Sequence, residues 1–410
     1  MSEESTESTA EVPFYPMPRA AGCPFAPAPG VREIATAGPI YTVRTWEGKQ
    51  AWLITGYPEA RALLSNSAVH LDNLHPEFPH SNESMKALAA MSPRTMFNTE
   101  GAEHARFRRM LAKPFTPKRL ETLRPLIQKH VDECIDTMLA AGDSADLHTA
   151  LALPVPSLVI CELLGVPYED HAFFQHHTEV GMDSNTTADQ AMQNTVEMLN
   201  YLNKLIEVKA AKPGEDLLTD MAELVRSGEL QSWEAGLQAV GFLAAGHETT
   251  ANMIGLSVLA LLERPDQLAL IRDTDDPKLL LNAIDELCRY MAIPHIGLRR
   301  VAVEDIEIAG ETIHAGDPLI VDIPTANRDP NTFADPDRID GQRPTAGLHL
   351  SFGAGRHNCI GLQLARIELA ITLQTLFRRV PGLRLATTID RIGFKEEAMV
   401  YGLTTLPVAW

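Results

Sequence analysis

A single cysteine in a glycine-rich loop is the feature that most constrains this chain. Cys359 lies in the segment Ser351–Gly361 (SFGAGRHNCIG), just before a helical pattern that runs to Val380. A helix N-terminus favours a thiolate because its free N–H groups and its dipole face the sulfur. Glycines allow the backbone to approach a flat ligand closely. The loop therefore predicts a metal-binding thiolate, whereas the alternative for any lone cysteine is a small buried packing residue.

Charge and cysteine usage exclude several classes of protein. The 410 residues carry 35 Lys and Arg against 54 Asp and Glu, a net charge of −19, which excludes nucleic acid as the main partner. No CxxC, CxxCH or zinc-ligand cluster is present, so a disulfide framework, a c-type haem and structural zinc are excluded, and a reducing compartment is expected. The cysteines, five in number, are Cys23, Cys134, Cys161, Cys288 and Cys359.

The N-terminal residues carry neither a secretory signal pattern nor an apolar run of membrane-spanning length. We therefore expect a cytoplasmic protein without membrane insertion. Residues 1–12 are predicted to be a disordered acidic tail, and 13–410 a single domain. No internal repeat and no clear linker divides that domain.

Hydrophobic periodicity predicts a mainly α fold with a smaller β region. Strand patterns at 41–46 and 50–55 predict a hairpin, and short strands are expected over 301–323 and 382–410. Most of 59–289 has helical spacing, and the longest helix is predicted from Trp233 to about Arg264, where Pro265 follows. Residues 71–99 predict a long loop with one short helix, of the kind that is often functional in enzymes.

The long helix contains an unusual polar stretch, Ala245–Thr250 (AGHETT), within apolar surroundings. Buried polar groups are costly unless they serve a purpose, and an acid beside an alcohol, here Glu248 and Thr249, can relay protons. Threonine can also bond a backbone carbonyl and open the helix slightly, and Gly246 would permit a bound diatomic molecule to approach. The alternative is an ordinary solvated helix face.

Taken together, these segments resemble the cytochrome P450 family over roughly residues 13–410, especially its soluble actinobacterial branch. Phe352–Gly361 matches the family's haem-ligand loop, Ala245–Thr250 its oxygen-activation motif, and Glu286–Arg289 its ExxR motif. The resemblance implies a P450-like fold that holds haem b between the long central helix and the C-terminal helix.

The resemblance also implies a role for each matching residue. Cys359 would be the axial thiolate of the haem iron, Thr249 would hydrogen-bond dioxygen, and Glu248 would supply protons. The residues expected to contact the haem or its propionates are His104, Arg108, Arg300 (with Arg299 as the competing choice), Phe352, His357 and Gly361. The residues expected to form a structural ion network are Glu286, Arg289 and Arg338.

The implied activity is a monooxygenase that hydroxylates or epoxidises a small hydrophobic natural product or xenobiotic. Two electrons would come from NAD(P)H through a ferredoxin and its reductase, because the chain shows no GxGxxG and no fused flavin or iron–sulfur segment. The alternatives are a peroxide-dependent peroxygenase or isomerase, and a haem-dependent binding or sensor protein. The candidate docking cations for the ferredoxin are Arg109, Lys113, Lys118 and Arg356.

Substrate contacts are expected from the loop 71–99, the long helix, the segment Ile293–Gly297 and a late turn. Most of these residues are apolar, as a pocket for a hydrophobic ligand requires. His295 is either a polar contact or a simple loop histidine. The chain is expected to act as a monomer. The individual pocket candidates are Leu243, Ala244, Ile293, Ile296 and Met399.

Overall fold

The computed structural model describes residues 12–20, 24–91, 93–170, 173–174, 176–177, 180, 187–396 and 398–410. Cys23 and the predicted tail, except Val12, lie outside the described residues.

Helices dominate the fold, as the sequence predicts. The helices with described bounds are α1 (Pro29–Ala37), α2 (Tyr57–Ser65), α3 (Glu83–Met91), α4 (Gly101–Leu111), α5 (Pro117–Ala141), α6 (Pro154–Leu164), α7 (Ala188–Ala211), α8 (Leu217–Ser227), α9 (Ser232–Leu262), α10 (Pro265–Asp273), α11 (Pro277–Met291), α12 (Ile323–Ala326) and α13 (Leu362–Arg379).

The strands are short and form three small sheets. They are β1 (Ile40–Arg44), β2 (Gln50–Ile54), β3 (Val69–His70), β4 (Ser144–Asp146), β5 (Leu298–Ala302), β6 (Ile306–Ile308), β7 (Glu311–Ile313), β8 (Pro318–Val321), β9 (Arg384–Leu385) and β10 (Pro407–Ala409). The largest sheet has the order β1-β2-β8-β5-β3, in which only β2 and β8 run parallel. The other two have the orders β4-β10-β9 and β6-β7.

The predicted elements agree closely with the observed ones. The hairpin β1–β2 pairs Arg44 with Gln50, and α3 is the short helix expected inside the loop 71–99. Helix α9 has 31 residues and ends before Pro265, because proline cannot donate the N–H that would continue the preceding helix. It packs against α6, α7 and α13, so most of its circumference is buried.

A buried ion network joins α11 to the coil that precedes the cysteine loop. Glu286 and Arg289 are fully buried, and Arg289 forms two hydrogen bonds with the carboxylate, at 2.7 and 2.8 Å. The third member is Arg343, whose Nε lies 3.0 Å from both carboxylate oxygens. The contact predicted for the ExxR pair is confirmed, and Glu286 neutralises two buried guanidinium groups.

The prediction of Arg338 as the third member is wrong. The Arg338 side chain is exposed, and only its carbonyl takes part, as an acceptor from Arg289 and Arg343. The reason is the turn that follows, in which the N–H of Arg343 donates to the carbonyl of Asp340. This turn folds the chain back onto Glu286 and brings the later arginine into the network.

Replacing Arg343 with alanine should lower the free energy of unfolding by about 3–5 kcal/mol, because it leaves part of a buried charge network uncompensated. Arg338→Ala is the matched control and should cost less than about 1 kcal/mol, because it keeps the carbonyl. Denaturant unfolding of the two purified variants measures both values. Equal losses would contradict the assignment.

Candidate active site

The cysteine loop folds tightly against the N-terminus of α13. The N–H of Cys359 donates to the carbonyl of Phe352 over 2.8 Å, which closes the loop. Gly353 and Gly355 have φ of 71° and 67°, a region that residues with a Cβ rarely adopt. The loop therefore ends at Gly361, the N-cap of α13, and presents Cys359 beside the helix N-terminus.

Cys359 differs from the other described cysteines in its accessibility. Cys161 and Cys288 are buried among apolar residues and Cys134 is half-buried, whereas Cys359 is exposed. Desolvation by the surrounding protein nevertheless raises the pKa of the thiol. The N–H groups of Gly361 and Leu362 and the guanidinium of Arg108 act in the opposite direction and favour a thiolate.

Three of the predicted haem contacts lie together on one side of Cys359. The rings of His104 on α4 and His357 in the loop are 4.1 Å apart between centroids. Arg108, one helical turn after His104, interacts electrostatically with Cys359. Burial lowers the pKa of His104 to about 4, and the positive charges of His357 and Arg108 act in the same direction. The cluster could hold carboxylate groups.

The structure distinguishes the two neighbouring arginines. Arg299 points away from the loop and donates to the carbonyls of Pro79 and Ile296, at 2.8 and 3.1 Å. Arg300 is buried and interacts electrostatically with Glu100 and Arg356, which places it on the side of the cysteine loop. Of the two choices, Arg300 has the placement that a propionate contact requires.

Sequence reasoning missed Glu100, which lies at the centre of this cluster. Its carboxylate accepts from Nε2 of His357 at 2.8 Å, from Nε of Arg356 at 2.7 Å and from the N–H of Leu71. Burial alone would raise the pKa of Glu100, but these hydrogen bonds outweigh it and hold the pKa well below its usual range. The available signal was an acidic residue directly before a predicted helix start.

Arg356 is not a docking residue, contrary to the expectation from the sequence. Besides Glu100, its guanidinium donates to the carbonyls of Asn66 and Val69, so all of its nitrogens have partners. Bidentate and backbone contacts of this kind fix a guanidinium in one orientation. Arg356 therefore ties the cysteine loop to the segment between α2 and β3.

Helix α9 carries two exposed residues directly beside its polar stretch. Ala244 and Ala245 are exposed although the helix is otherwise largely buried. The hydroxyl of Thr249 donates to the carbonyl of Ala245 over 2.7 Å, as the sequence predicts. Glu248 is only 20% exposed at its side chain and forms a salt bridge with Lys395, a residue that sequence reasoning did not single out.

The interpretation of Gly246 needs correction. A Cβ at this position would lie 2.8 Å from Cδ1 of Ile160 on α6, which is too close for an ordinary contact. The glycine therefore permits the close packing of α9 on α6. It does not provide space for a small bound molecule.

The five pocket candidates divide into two groups. Leu243, Ile293 and Ile296 are less than a tenth exposed. Ala244 is exposed beside Ala245, and Met399 is 53% exposed. Leu243 and Ala244 are adjacent on a helix and project about 100° apart, which is why one is buried and the other is exposed.

Comparison with known proteins identifies the family. A model of the cytochrome P450 family matches residues 173–380. The chain is 51% identical over 410 residues to cytochrome P450 CYP105Q4 of Mycobacterium marinum, a match that covers 100% of this chain and 99% of that protein. The chain belongs to the cytochrome P450 family. It is therefore a P450 monooxygenase, an oxidoreductase.

Solved P450 structures have the same fold. The crystal structure of GfsF, a Streptomyces halstedii P450, has a TM-score of 0.92 at 44% identity, covering 97% of this chain and 100% of that chain. Mycinamicin VIII C21 methyl hydroxylase MycCI from Micromonospora griseorubida, solved with mycinamicin VIII bound, has a TM-score of 0.88 at 40% identity, with 97% and 100% coverage. Within the described residues, no helix has the length and apolar character needed to cross a membrane.

The residues present in this P450 fit a haem-thiolate group. An exposed cysteine sulfur beside a helix N-terminus is a suitable soft ligand for iron. The nearby cations Arg108 and Arg300, with His357, are suitable partners for two propionates. The exposed alanines of α9 leave a surface against which a flat ring can pack.

Buried histidines should make this P450 sensitive to acid. Burial lowers the pKa of His148 and of His247 to about 4, whereas an unfolded histidine titrates near 6.5. Above pH 6.5 both states are neutral and nothing changes. As pH falls from about 6.5 to 4, only the unfolded state takes up protons, so the free energy of unfolding should decrease, by up to about 3 kcal/mol per group.

The His247→Gln variant should flatten this pH dependence, because glutamine does not titrate. His314→Gln is the control, since the His314 side chain is 68% exposed on a surface turn. Urea unfolding of each protein at intervals between pH 4 and 7 gives the slopes. Parallel curves for the wild type and His247→Gln would refute the explanation.

Proposed function

We propose that this P450 inserts one atom of O2 into a hydrophobic natural product or xenobiotic and reduces the other atom to water. Two electrons reach it from NAD(P)H through a ferredoxin or a similar carrier. The observation that carries the proposal is Cys359, an exposed thiol beside the N-terminus of α13, with backbone N–H groups of Gly361 and Leu362 as hydrogen-bond donors to its sulfur. This is the donor environment of a thiolate that ligates haem iron.

In this proposal the cofactor is haem b, and Cys359 would supply the thiolate that ligates its iron. His104, Arg108, Arg300 and His357 would hold the propionates. When bound, the haem supplies dioxygen activation, and the thiolate donates electron density that favours cleavage of the O–O bond. Phe352, half-buried beside His349 with ring centroids 5.5 Å apart, packs on the cysteine side together with Gly361.

In the proposed reaction, Thr249 forms a hydrogen bond with dioxygen and Glu248 supplies protons. The Thr249 hydroxyl donates to the carbonyl of Ala245, so its oxygen keeps its lone pairs available for another donor. Glu248 is adjacent in sequence, and burial raises the pKa of its carboxyl, which makes it a better proton donor near neutral pH than an exposed glutamate. This acid–alcohol pair favours a monooxygenase over a peroxygenase, an isomerase or a binding protein.

The proposed substrate is a bulky apolar molecule. The candidate contacts Ala244 and Met399 are exposed and apolar, and Leu74 in the loop 71–99 is 44% exposed. Such residues can close over a hydrophobic ligand and remove its surface from water. The related MycCI, which was solved with mycinamicin VIII bound, supports a substrate of the natural-product class.

The proposed docking surface for the electron carrier is the outer face of α4 and the start of α5. Arg109 and Lys118 are exposed there, whereas Lys113 forms a salt bridge with Asp220. Helix α4 directs His104 and Arg108 toward the site and Arg109 outward. A small basic surface on an acidic molecule would attract an acidic carrier such as a ferredoxin.

The decisive test is the carbon monoxide difference spectrum of the reduced protein. The wild type should give the thiolate-ligated P450 spectrum. Cys359→Ser should lose it because a serine oxygen donates less electron density, while Cys134→Ser, which changes a half-buried packing cysteine, should retain it. A wild-type spectrum without the thiolate signature would refute haem-thiolate function.

Thr249→Ala should uncouple oxygen consumption from product formation by about tenfold or more, the scale of a lost positioned proton donor. Oxygen uptake and product are measured together with NAD(P)H, reductase and ferredoxin. Thr250→Ala is the control, since its side chain is buried on another face of α9. Unchanged coupling would show that the relay assignment is wrong, and turnover with peroxide alone would indicate a peroxygenase.

A further inference from the structure

The C-terminal hairpin formed by residues 394–396 and 398–403 lies directly on α9. Phe394 pairs antiparallel with Leu403, and the N–H of Lys395 donates to the carbonyl of Gly402 over 2.9 Å. A Cβ at Gly402 would lie 2.0 Å from Oδ1 of Asn252, so only glycine allows this approach to the helix. The hairpin is therefore held one helical turn beyond Glu248.

Lys395 uses this placement to reach the buried carboxylate. Its Nζ lies 3.6 Å from Oε1 of Glu248, and the two side chains are 23% and 20% exposed. At this distance and degree of burial, an ion pair is screened far less by water than a surface pair. The Lys395 side chain, which carries the ammonium group, remains partly accessible to solvent.

The other ionisable groups near the pair do not compete for Glu248 at neutral pH. His247 on α9 and His148 before α6 both interact electrostatically with Lys395, and Asp146 interacts with His148. Burial lowers the pKa of each histidine to about 4, so both are neutral near pH 7. Burial raises the pKa of Glu248, and Lys395 works in the opposite direction.

We propose that Lys395 is a positioning residue that holds the carboxylate of Glu248, the residue before Thr249, in place and favours its ionised form. The inference rests on the proposed role of Glu248 as proton supplier. It adds that the counter-ion of this carboxylate comes from a hairpin about 150 residues away in sequence.

The same hairpin also reaches the proposed substrate side. The carbonyl of Ala398 accepts from Nε2 of His295 at 2.7 Å, and the N–H of Tyr401 donates to the carbonyl of Ile293 at 2.9 Å. Met399, between these contacts, is exposed. One element thus carries both a candidate substrate contact and the counter-ion of Glu248.

The test is an infrared pH titration of the haem-loaded protein, which follows the carbonyl stretch of a protonated carboxyl group. The band that disappears in Glu248→Gln identifies Glu248. In Lys395→Met, which keeps the packing of the side-chain stem, the ionisation midpoint of this band should move upward by about one pH unit or more. Lys395→Arg should restore the wild-type midpoint.

A matched control is Lys209→Met, which removes a comparably buried lysine from its salt bridge with Asp216. It should leave the Glu248 midpoint unchanged. If Lys395→Met does not fold, Lys395→Gln provides the same comparison. A wild-type midpoint in Lys395→Met or Lys395→Gln, the two variants that remove the positive charge, would overturn the inference.

Turnover separates this inference from the proposed function. If Lys395 positions Glu248, the pH profile of coupling should shift upward in Lys395→Met in parallel with the infrared midpoint and return in Lys395→Arg. A shifted midpoint with normal coupling in both Glu248→Gln and Lys395→Met would preserve the ion pair and refute the proton-supply role. An unshifted midpoint with poor coupling in Glu248→Gln would refute the role of Lys395 alone.

Discussion

The buried carboxylate of Glu286 is the interaction on which the position of the cysteine loop depends. It holds Arg289, and Arg289 in turn donates to the carbonyl of Asn327 over 2.8 Å. The Asn327 side chain then accepts from the N–H of Leu350 and donates to the hydroxyl of Ser351, at 2.8 and 2.9 Å. An ion network without a catalytic role therefore fixes the first residues of the loop that presents the thiol.

The opposite end of the loop depends on a second buried carboxylate. Glu100, directly before α4, binds His357 and Arg356, and Arg356 binds the segment that leads into β3. The loop is thus held from α11 on one side and from α4 and the sheet on the other. This arrangement keeps Cys359 at a fixed place although the residue itself is exposed.

Much of the fold and of the site follows from the sequence, because local patterns determine local structure. Periodicity predicts where α9 and α13 lie and where the hairpin β1–β2 forms. The i,i+3 spacing predicts the Glu286–Arg289 pair. All of these features depend on residues that are near neighbours in the chain. Thr249 bonds Ala245 for the same reason, since the two are one helical turn apart.

The errors and omissions all involve contacts between distant segments. Arg338 and Arg343 are both arginines of one coil, and only the fold of the turn decides which of them meets Glu286. Arg356 looks like a surface cation until the carbonyls of a remote segment surround it. Lys395 has no local pattern at all, because a hairpin brings it to Glu248. Such pairs depend on topology, which one sequence without relatives does not reveal.

The described carboxylates of the core show how burial and pairing together set charge. Glu286, Glu100 and Glu248 each have a cation within salt-bridge distance, so the attraction offsets the cost of removing a carboxylate from water.

Glu368 on α13 is also buried, but one of its oxygens has no hydrogen-bond partner, and burial raises its pKa well above the usual value. Burial of Glu368 therefore favours the neutral form of its carboxyl group. Glu248 differs from Glu368 in two respects: its side chain is 20% exposed, and Nζ of Lys395 lies 3.6 Å from one of its oxygens. A carboxyl group that must gain and lose protons during turnover needs a counter-ion that partly offsets burial, and the hairpin supplies it.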